Sequence, residues 1–396
     1  MKTIRSTSKI SLLFLCSFMI GAYAPSVVPF WIMRAVETIG NVPGYITTDD
    51  TSPRIENAPM PADPRKITMV FGGDVMLARG VESVIRDTAG GDYTWPWANI
   101  APYLKRADIA CVNLESQISE RGKPDLTRIS GPWFAAKDQA VQGLVHAGID
   151  MVTVANNHCF DYGPDSLTNS LENLRQAGIK YSGIGSYDEA YAPVYLTVKD
   201  KKVAFLAYTN QVYPWYRATK GFKHQIGISW PAKDGAAWLS YDNLDKGIAR
   251  AKNDGANIIV VSMHFGVEYD TTPSLAQELF TRHAIDQGAH IVIGHGPHIV
   301  QPVVVYKHGI IAYSLGNLIF DLQESRHPGV SRGMLLEIDW ENGAITKVTP
   351  RYTRNNEATC QPDFETAALS CGTRSGWLPI LSLLPRSHGI SHKPAV

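Results

Sequence analysis

The chain reads as a layered α/β sandwich in which buried parallel strands, covered by helices, continue into an antiparallel strand-rich end. Three observations predict it. Short apolar runs of strand length recur from residue 67 onwards. Several of them stop abruptly on carboxylates, amides or imidazoles. Amphipathic stretches of helix length lie between them, several halted by glycine. At 396 residues the chain can bury a sizeable core. Lysine plus arginine and aspartate plus glutamate stand at 37 each, with no concentrated basic stripe, which excludes a nucleic-acid footprint. The 44% hydrophobic content is that of a globular protein, and no fixed-period repeat is present.

Residues 1–34 read as a signal anchor, a single transmembrane helix. Lys2, Arg5 and Lys9 precede a mostly apolar run over 10–33, closed by Arg34. A run of about 20 such residues spans a bilayer. The basic flank keeps the N-terminus in the cytoplasm and sends the rest outside, to the periplasm or cell surface. Ala22-Tyr23-Ala24 offers a partial cleavage site, so a cleaved signal peptide stays open as the second reading. Residues 35–65 hold Pro, Thr, Asp and Asn without periodicity and read as a linker. The domain is expected over 66–350, followed by a tail over 351–396.

Within the domain, a strand over 67–71 runs into Gly72-Gly73-Asp74, where two glycines permit a tight turn. Helical stretches near 81–87 and 100–105 lead to a strand over 109–112 that ends on Asn113-Leu114-Glu115. A helix over 138–146 stops at Gly148, and a strand over 151–155 stops on Asn156-Asn157-His158. Pro164 opens a helix with Leu167, Leu171 and Leu174 on one face and Gly178 at its close. Runs over 194–198 and 203–208 form a hairpin about 199–202. Segment 210–240 shows no element and is expected to lie as a loop over the site. A helix over 241–254 precedes a strand over 257–262 that ends on Met263-His264. Thr272-Pro273 opens a helix to Asp286, and a strand over 290–293 ends on Gly294-His295-Gly296-Pro297-His298. Strands over 300–306, 310–313, 334–338 and 345–349 complete the pattern. Cys111 and Cys159 fall in apolar stretches as packed thiols; Cys360 and Cys371 are either bridged or free.

Strand ends thus present Asp74, Glu115, Asn157, His158, His264, His295 and His298. In an open α/β sheet, ligands bind at the carboxyl ends of strands. Two carboxylates, an amide oxygen and imidazoles suit one or two dications such as Mn, Zn or Fe. Two ions about 3.5–4 Å apart would clamp a phosphoryl oxygen. Taken singly, each residue has an ordinary reading: Asp74 as a turn residue, Glu115 as the partner of Arg106 or Arg121, His264 as a core histidine.

Gly73-Asp74-Val75-Met76, Asn113-Leu114-Glu115, and Ala155-Asn156-Asn157-His158 through Asp161-Tyr162-Gly163 resemble the CapA/PgsA family of poly-γ-glutamate capsule proteins. So do Met263-His264-Phe265-Gly266-Val267-Glu268-Tyr269, Gly294-His295-Gly296-Pro297-His298 and Tyr313-Ser314-Leu315-Gly316-Asn317, in order over about 66–322. The resemblance implies an α/β/β/α sandwich of the calcineurin-like metallophosphoesterase type. It implies a membrane tether and a role in making or exporting poly-γ-glutamate beside membrane-bound ligase components. By position, Asp74 and His298 would hold a first ion, Glu115 would bridge, and Asn157, His264 and His295 would hold a second. His158 would be a general acid or phosphate contact oriented by Asp161, with Glu268 either a further carboxylate near the site or a surface residue. Two departures stand: Met76 where that superfamily has histidine, and Glu115 where it has aspartate. Two functional classes follow, a metal-dependent phosphoesterase or hydrolase of the cell envelope, and a non-catalytic subunit that grips poly-γ-glutamate or another anionic substrate.

Overall fold

The computed structural model describes residues 65–124, 132–211 and 235–365. The expected anchor, the linker to residue 64, most of the 210–240 loop and Cys371 lie outside them. Among the described residues, no helix is long and apolar enough to cross a membrane. The chain divides into two compact units, Met1–Gly44 and Tyr45–Val396, and all described residues belong to the second.

Its first half runs β1 (Ile67–Val75), α1 (Arg79–Thr88), β2 (Ile109–Leu114), α2 (Val141–Ala147), β3 (Met151–Thr153), α3 (Gly163–Gln176), β4 (Lys180–Ser182), β5 (Val194–Val198) and β6 (Lys201–Thr209). The second runs α4 (Tyr241–Asn253), β7 (Ile258–His264), α5 (Leu275–Gln287), β8 (Ile291–His295), β9 (Val303–Tyr306), β10 (Gly309–Ala312), β11 (Asn317–Ile319), β12 (Arg332–Glu341), β13 (Ala344–Asn355) and β14 (Pro362–Phe364). An eight-stranded sheet has the order β14-β13-β12-β1-β2-β3-β4, with β11 also on β1; a six-stranded sheet has the order β9-β10-β8-β7-β6-β5.

Strands that look uniformly apolar in sequence sort their side chains by parity. Ile67, Met69, Phe71, Ile109 and Cys111 meet Val203, Phe205, Ile258, Val260, Ile291 and Ile293 in one core between the sheets. The alternate residues, Val70, Ala110 and Val112, join Leu171 and Leu174 of α3 in a second core. Ile259, Val261 and Val292 join Leu244, Ile248 and Ile285 of α4 and α5 in a third. The layers are therefore helices, sheet, sheet, helices. A strand buried on both faces keeps its period of two, but hydropathy alone no longer displays it.

At their amino ends, neighbouring strands are latched by one repeated device. Asp108, just before β2, accepts from Thr68 N–H through Oδ2 at 2.8 Å and donates its own N–H to Thr68 O. Asp150, before β3, does the same to Ala110 of β2. Asn257, before β7, does it to Lys202 of β6. His290, before β8, does it to Ile259 of β7 through Nδ1 at 3.0 Å.

Several boundaries differ from the sequence expectation. The domain does not end at 350: β13 runs on to Asn355 and β14 pairs with it. Part of the expected tail is thus a sheet edge, because Thr353 and Asn355 have buried places that a free tail would not offer. The hairpin turn is two residues, Lys199-Asp200, both left-handed at φ 47° and 62°, as a tight turn between twisted strands demands. Helix α5 starts at Leu275, just after the expected Thr272-Pro273 opening, since Ser274 caps it and forms a reciprocal box with Gln277. Within 210–240, Gly235 and Ala236 pair with Gly185 and Ile184. Cys111 and Cys159 are buried thiols, the latter pushed up to about 12 by burial.

Candidate metal centre

Register builds the site. In the six-stranded sheet, His264 stands opposite His295 on one side and Thr209 on the other. In the eight-stranded sheet, Asp74 stands opposite Asn113 and Asn317, and Asn113 opposite Thr153. Asn113, His264 and His295 each follow by two residues a member of the inter-sheet core or its register, so alternation alone turns them inward. Asp74 does not follow that rule. Phe71 pairs with Cys111 and Asp74 with Asn113, three residues against two, so β1 carries one extra residue at Gly72-Gly73. That bulge shifts Asp74 onto the inward face. Gly73 permits it because a Cβ there would run into Gly316 O, while Asp74 N–H donates to that same oxygen at 2.9 Å.

The two polar rows meet at the end of the inter-sheet core. Asp74 Oδ1 accepts from Asn113 Nδ2 at 2.9 Å and lies 3.0 Å from His295 Nδ1. Asn113 Nδ2 is also 3.3 Å from His264 Nδ1. Asp74 Oδ2 is 3.3 Å from His298 Nδ1. Glu115, just beyond β2, places Oε1 3.7 Å from His298 Nε2, 3.9 Å from His264 Nε2 and 4.0 Å from His158 Nε2. His298 adopts a left-handed backbone, φ 59°, and its Nδ1 also lies 2.9 Å from Asn317 Oδ1. Ligand atoms of Asp74, Glu115 and His298 all fall within 4.8 Å of one another.

Burial makes this cluster costly as it stands. Asp74 Oδ2, both oxygens of Glu115, Asn157 Oδ1 and His264 Nε2 are buried without a hydrogen-bond partner. Each such atom costs about 1–3 kcal/mol when left unpaired. Burial drives the Glu115 carboxyl well above its ordinary range, and the Asp74 charge adds to this against His298. Burial also works to raise Asp74, but His295 and His298 override it and hold the carboxyl well below the usual range. His264 is lowered to about 3 by desolvation. Burial opposes charge on His298 too, yet Glu115 and Asp74 reverse that and raise it to about 10. Carboxylate, amide and imidazole atoms converging without partners are a donor set that a dication satisfies, so the residues present fit a metal.

His158 is held beside this cluster. Its Nδ1 lies 2.7 Å from Asp161 Oδ2, which also accepts from Phe134 N–H at 2.7 Å. The Phe134 ring stacks on the imidazole at 3.8 Å between centroids. Nδ1 is thereby occupied and Nε2 turns toward Glu115. Asn157 is partly exposed next to it, and no hydrogen bond uses its Oδ1. Glu268 is exposed, yet its charge acts on Glu115 and His298, which places it at the rim. Met76 is fully buried, its sulfur receiving Ala78 N–H at 3.2 Å.

Three amides carry the site without having been singled out in sequence. Asn113 bridges the carboxylate and imidazole rows. Asn156 donates to Leu114 O at 2.8 Å and receives His158 N–H at 3.1 Å, fixing the loop that carries Asn157 and His158. Asn317 buttresses His298 and donates to Val330 O at 3.0 Å. The parity of β2 is the signal that points to Asn113; Asn156 and Asn317 stand in the family motifs, but no local feature gives their contacts.

Comparison with known proteins gives the chain its relatives. Residues 68–322 match the family described as bacterial capsule synthesis protein PGA_cap. The chain is 33% identical over 261 residues to the capsule biosynthesis protein CapA of Bacillus anthracis, covering 65% of this chain and 60% of that one. It is 29% identical over 254 residues to the PGA biosynthesis protein CapA of Bacillus subtilis, covering 63% and 62%. The match thus spans about three fifths of either relative. Among solved structures, the NAD nucleotidase of Haemophilus influenzae aligns at 13% identity with a TM-score of 0.39, over 76% of this chain and 54% of that one.

Proposed function

The chain belongs to the bacterial capsule synthesis protein family PGA_cap, and from that premise we propose that it serves the synthesis or export of poly-γ-glutamate through a metal centre on a calcineurin-like metallophosphoesterase scaffold. The observation that carries the reading is the set of five unpartnered ligand atoms from Asp74, Glu115, Asn157 and His264. Asp74, Glu115 and His298 would hold one dication; Glu115, Asn157, His264 and His295 would hold a second. Mn, Zn and Fe all suit that donor set. A bound dication supplies Lewis-acid polarisation of a substrate oxygen. The apolar run over 10–33 supports a membrane-tethered, extracytoplasmic domain working beside membrane-bound ligase components.

A second reading, an active phosphoesterase or hydrolase of the cell envelope, draws on His158. Asp161 occupies Nδ1 and Phe134 fixes the ring plane, so Nε2 is the atom that would pass a proton to a leaving group. The test uses the full-length chain. Metal content is measured on wild type, Glu115→Gln and His158→Ala, and each is returned to cells lacking the gene to measure polymer yield. Glu115→Gln is expected to lose metal and polymer together, and His158→Ala to keep metal. Polymer lost in His158→Ala assigns catalysis; polymer retained assigns an accessory, polymer-gripping role. Undiminished polymer in metal-free Glu115→Gln would sink the proposal.

A further inference from the structure

Beside the metal centre lies a cavity of about 600 Å³ whose walls include Arg79, Asp321, Gln323, Arg326, His327 and Glu357. Aromatic contacts join it to the site on two sides. The His327 ring stacks on Tyr269 at 3.9 Å, and Tyr269 faces His298 at 6.3 Å. The Arg79 guanidinium sits 5.0 Å over Phe134, the ring that stacks on His158.

Of the charged groups in the cavity, Asp321 and Arg79 are paired with each other, while Glu357 meets a single backbone N–H and Arg326 meets no acid among the described residues. Asp321 accepts from Arg79 Nε at 3.1 Å, from Arg79 Nη2 at 2.8 Å and from Gly80 N–H at 2.9 Å. Glu357 Oε1 accepts from Glu324 N–H at 2.8 Å. The side chains of Arg326, Gln323 and His327 have no hydrogen-bond partner among the described residues, and Arg326 is exposed. The loop that carries them is closed on itself. Glu324 accepts from Gly329 N–H at 2.7 Å, from Ser331 N–H at 3.1 Å and from Ser331 Oγ at 2.6 Å. The loop backbone is braced and the His327 ring is held by Tyr269, so a guanidinium, an amide and an imidazole are presented together to a planar anion, with Arg326 and Gln323 exposed and ordering on binding.

We infer that this cavity is a subsite for a pendant α-carboxylate of a γ-linked acidic polymer whose neighbouring unit lies at the metal centre. The inference rests on the proposed poly-γ-glutamate function and adds a second contact point, which sets specificity for a chain over a single residue. Arg326 supplies the charge, Gln323 and His327 supply hydrogen bonds, and the Arg79–Asp321 pair forms the neutral wall.

The experiment measures binding of a γ-linked glutamate decamer to metal-loaded full-length protein by calorimetry, with inorganic phosphate as a separate probe of the metal centre. Arg326→Gln is expected to weaken decamer binding about threefold and Arg326→Glu about tenfold. Metal content, phosphate affinity and thermal midpoint should match wild type. Decamer binding unchanged in Arg326→Glu would overturn the subsite while leaving the proposed function standing. Failure of wild type to bind the decamer would overturn both. Equal loss of phosphate binding would show that the substitution acts on the metal centre and would also overturn the subsite.

Discussion

At their amino ends, strands β1, β2, β6 and β7 meet Asp108, Asp150, Asn257 and His290, each paired to a backbone N–H although none of the four is fully buried. At the carboxyl ends of the same layers, Asp74, Glu115 and His264 are almost wholly inaccessible and carry unpaired atoms. The residue types overlap, yet the ends are opposite in economy. A fold held only for stability would pair the deeply buried groups first, because desolvation without a partner is costly. The contrast teaches that the amino ends hold the sheets together, whereas the carboxyl ends leave buried ligand-type atoms unpaired, the state that the proposed metal centre requires. Two histidines show it along one strand: His290, just before β8, accepts a backbone N–H, and His295, at the carboxyl end of β8, faces Asp74.

The largest expected effect comes from breaking the device that places Asp74 in its row. Gly73→Ala drives a Cβ into Gly316 O, and we expect either no folded protein or a thermal midpoint lower by about 10 °C or more. Circular dichroism on heating reads this directly, and a near-native midpoint would show that the bulge tolerates a side chain. Next is Glu115→Gln. It should lower dication affinity about 100-fold or more, read by metal content after dialysis, while leaving the metal-free protein as stable as wild type or more so. Marked destabilisation of the metal-free protein would place Glu115 among the structural groups.

The amino end should respond with the opposite sign. Asp150→Ala strands the Ala110 N–H and is expected to cost about 1–2 kcal/mol in denaturant unfolding, with metal content unchanged. The smallest effect concerns pH. Burial lowers His290 to about 4 in the folded chain, against about 6.5 when unfolded. The unfolded state therefore binds more protons between those values. The stability His290 contributes is complete above pH 6.5 and lost as pH falls through 4. Since the ring is partly exposed, about 1 kcal/mol is expected over that window. His290→Asn keeps an acceptor, as Asn257 does at the same place on β7, and should flatten the dependence. An equally steep acid limb in that variant would assign the loss to other groups.

Much of this was legible from the residues because strand termini are written locally. An apolar run that stops on Asn113-Leu114-Glu115 or on Asn156-Asn157-His158 announces both a buried strand and polar groups at its end, and the motifs fixed their order along the chain. Which of those groups point at one another was not local. His264 and His295 share a row because parallel pairing sets their strands in register, and Asp74 joins them only through the one-residue bulge at Gly72-Gly73. The parts played by Asn156 and Asn317 were invisible for the same reason, since an amide's role depends on which atoms lie within about 3 Å of it. Residue chemistry and the period of two are properties of neighbours in sequence, so the chain alone determined the layered class and the candidates at strand ends. Register, bulge and the unpaired state of buried atoms arise from pairing between segments as distant as Asp74 and His295, 221 positions apart, and there tertiary structure decided.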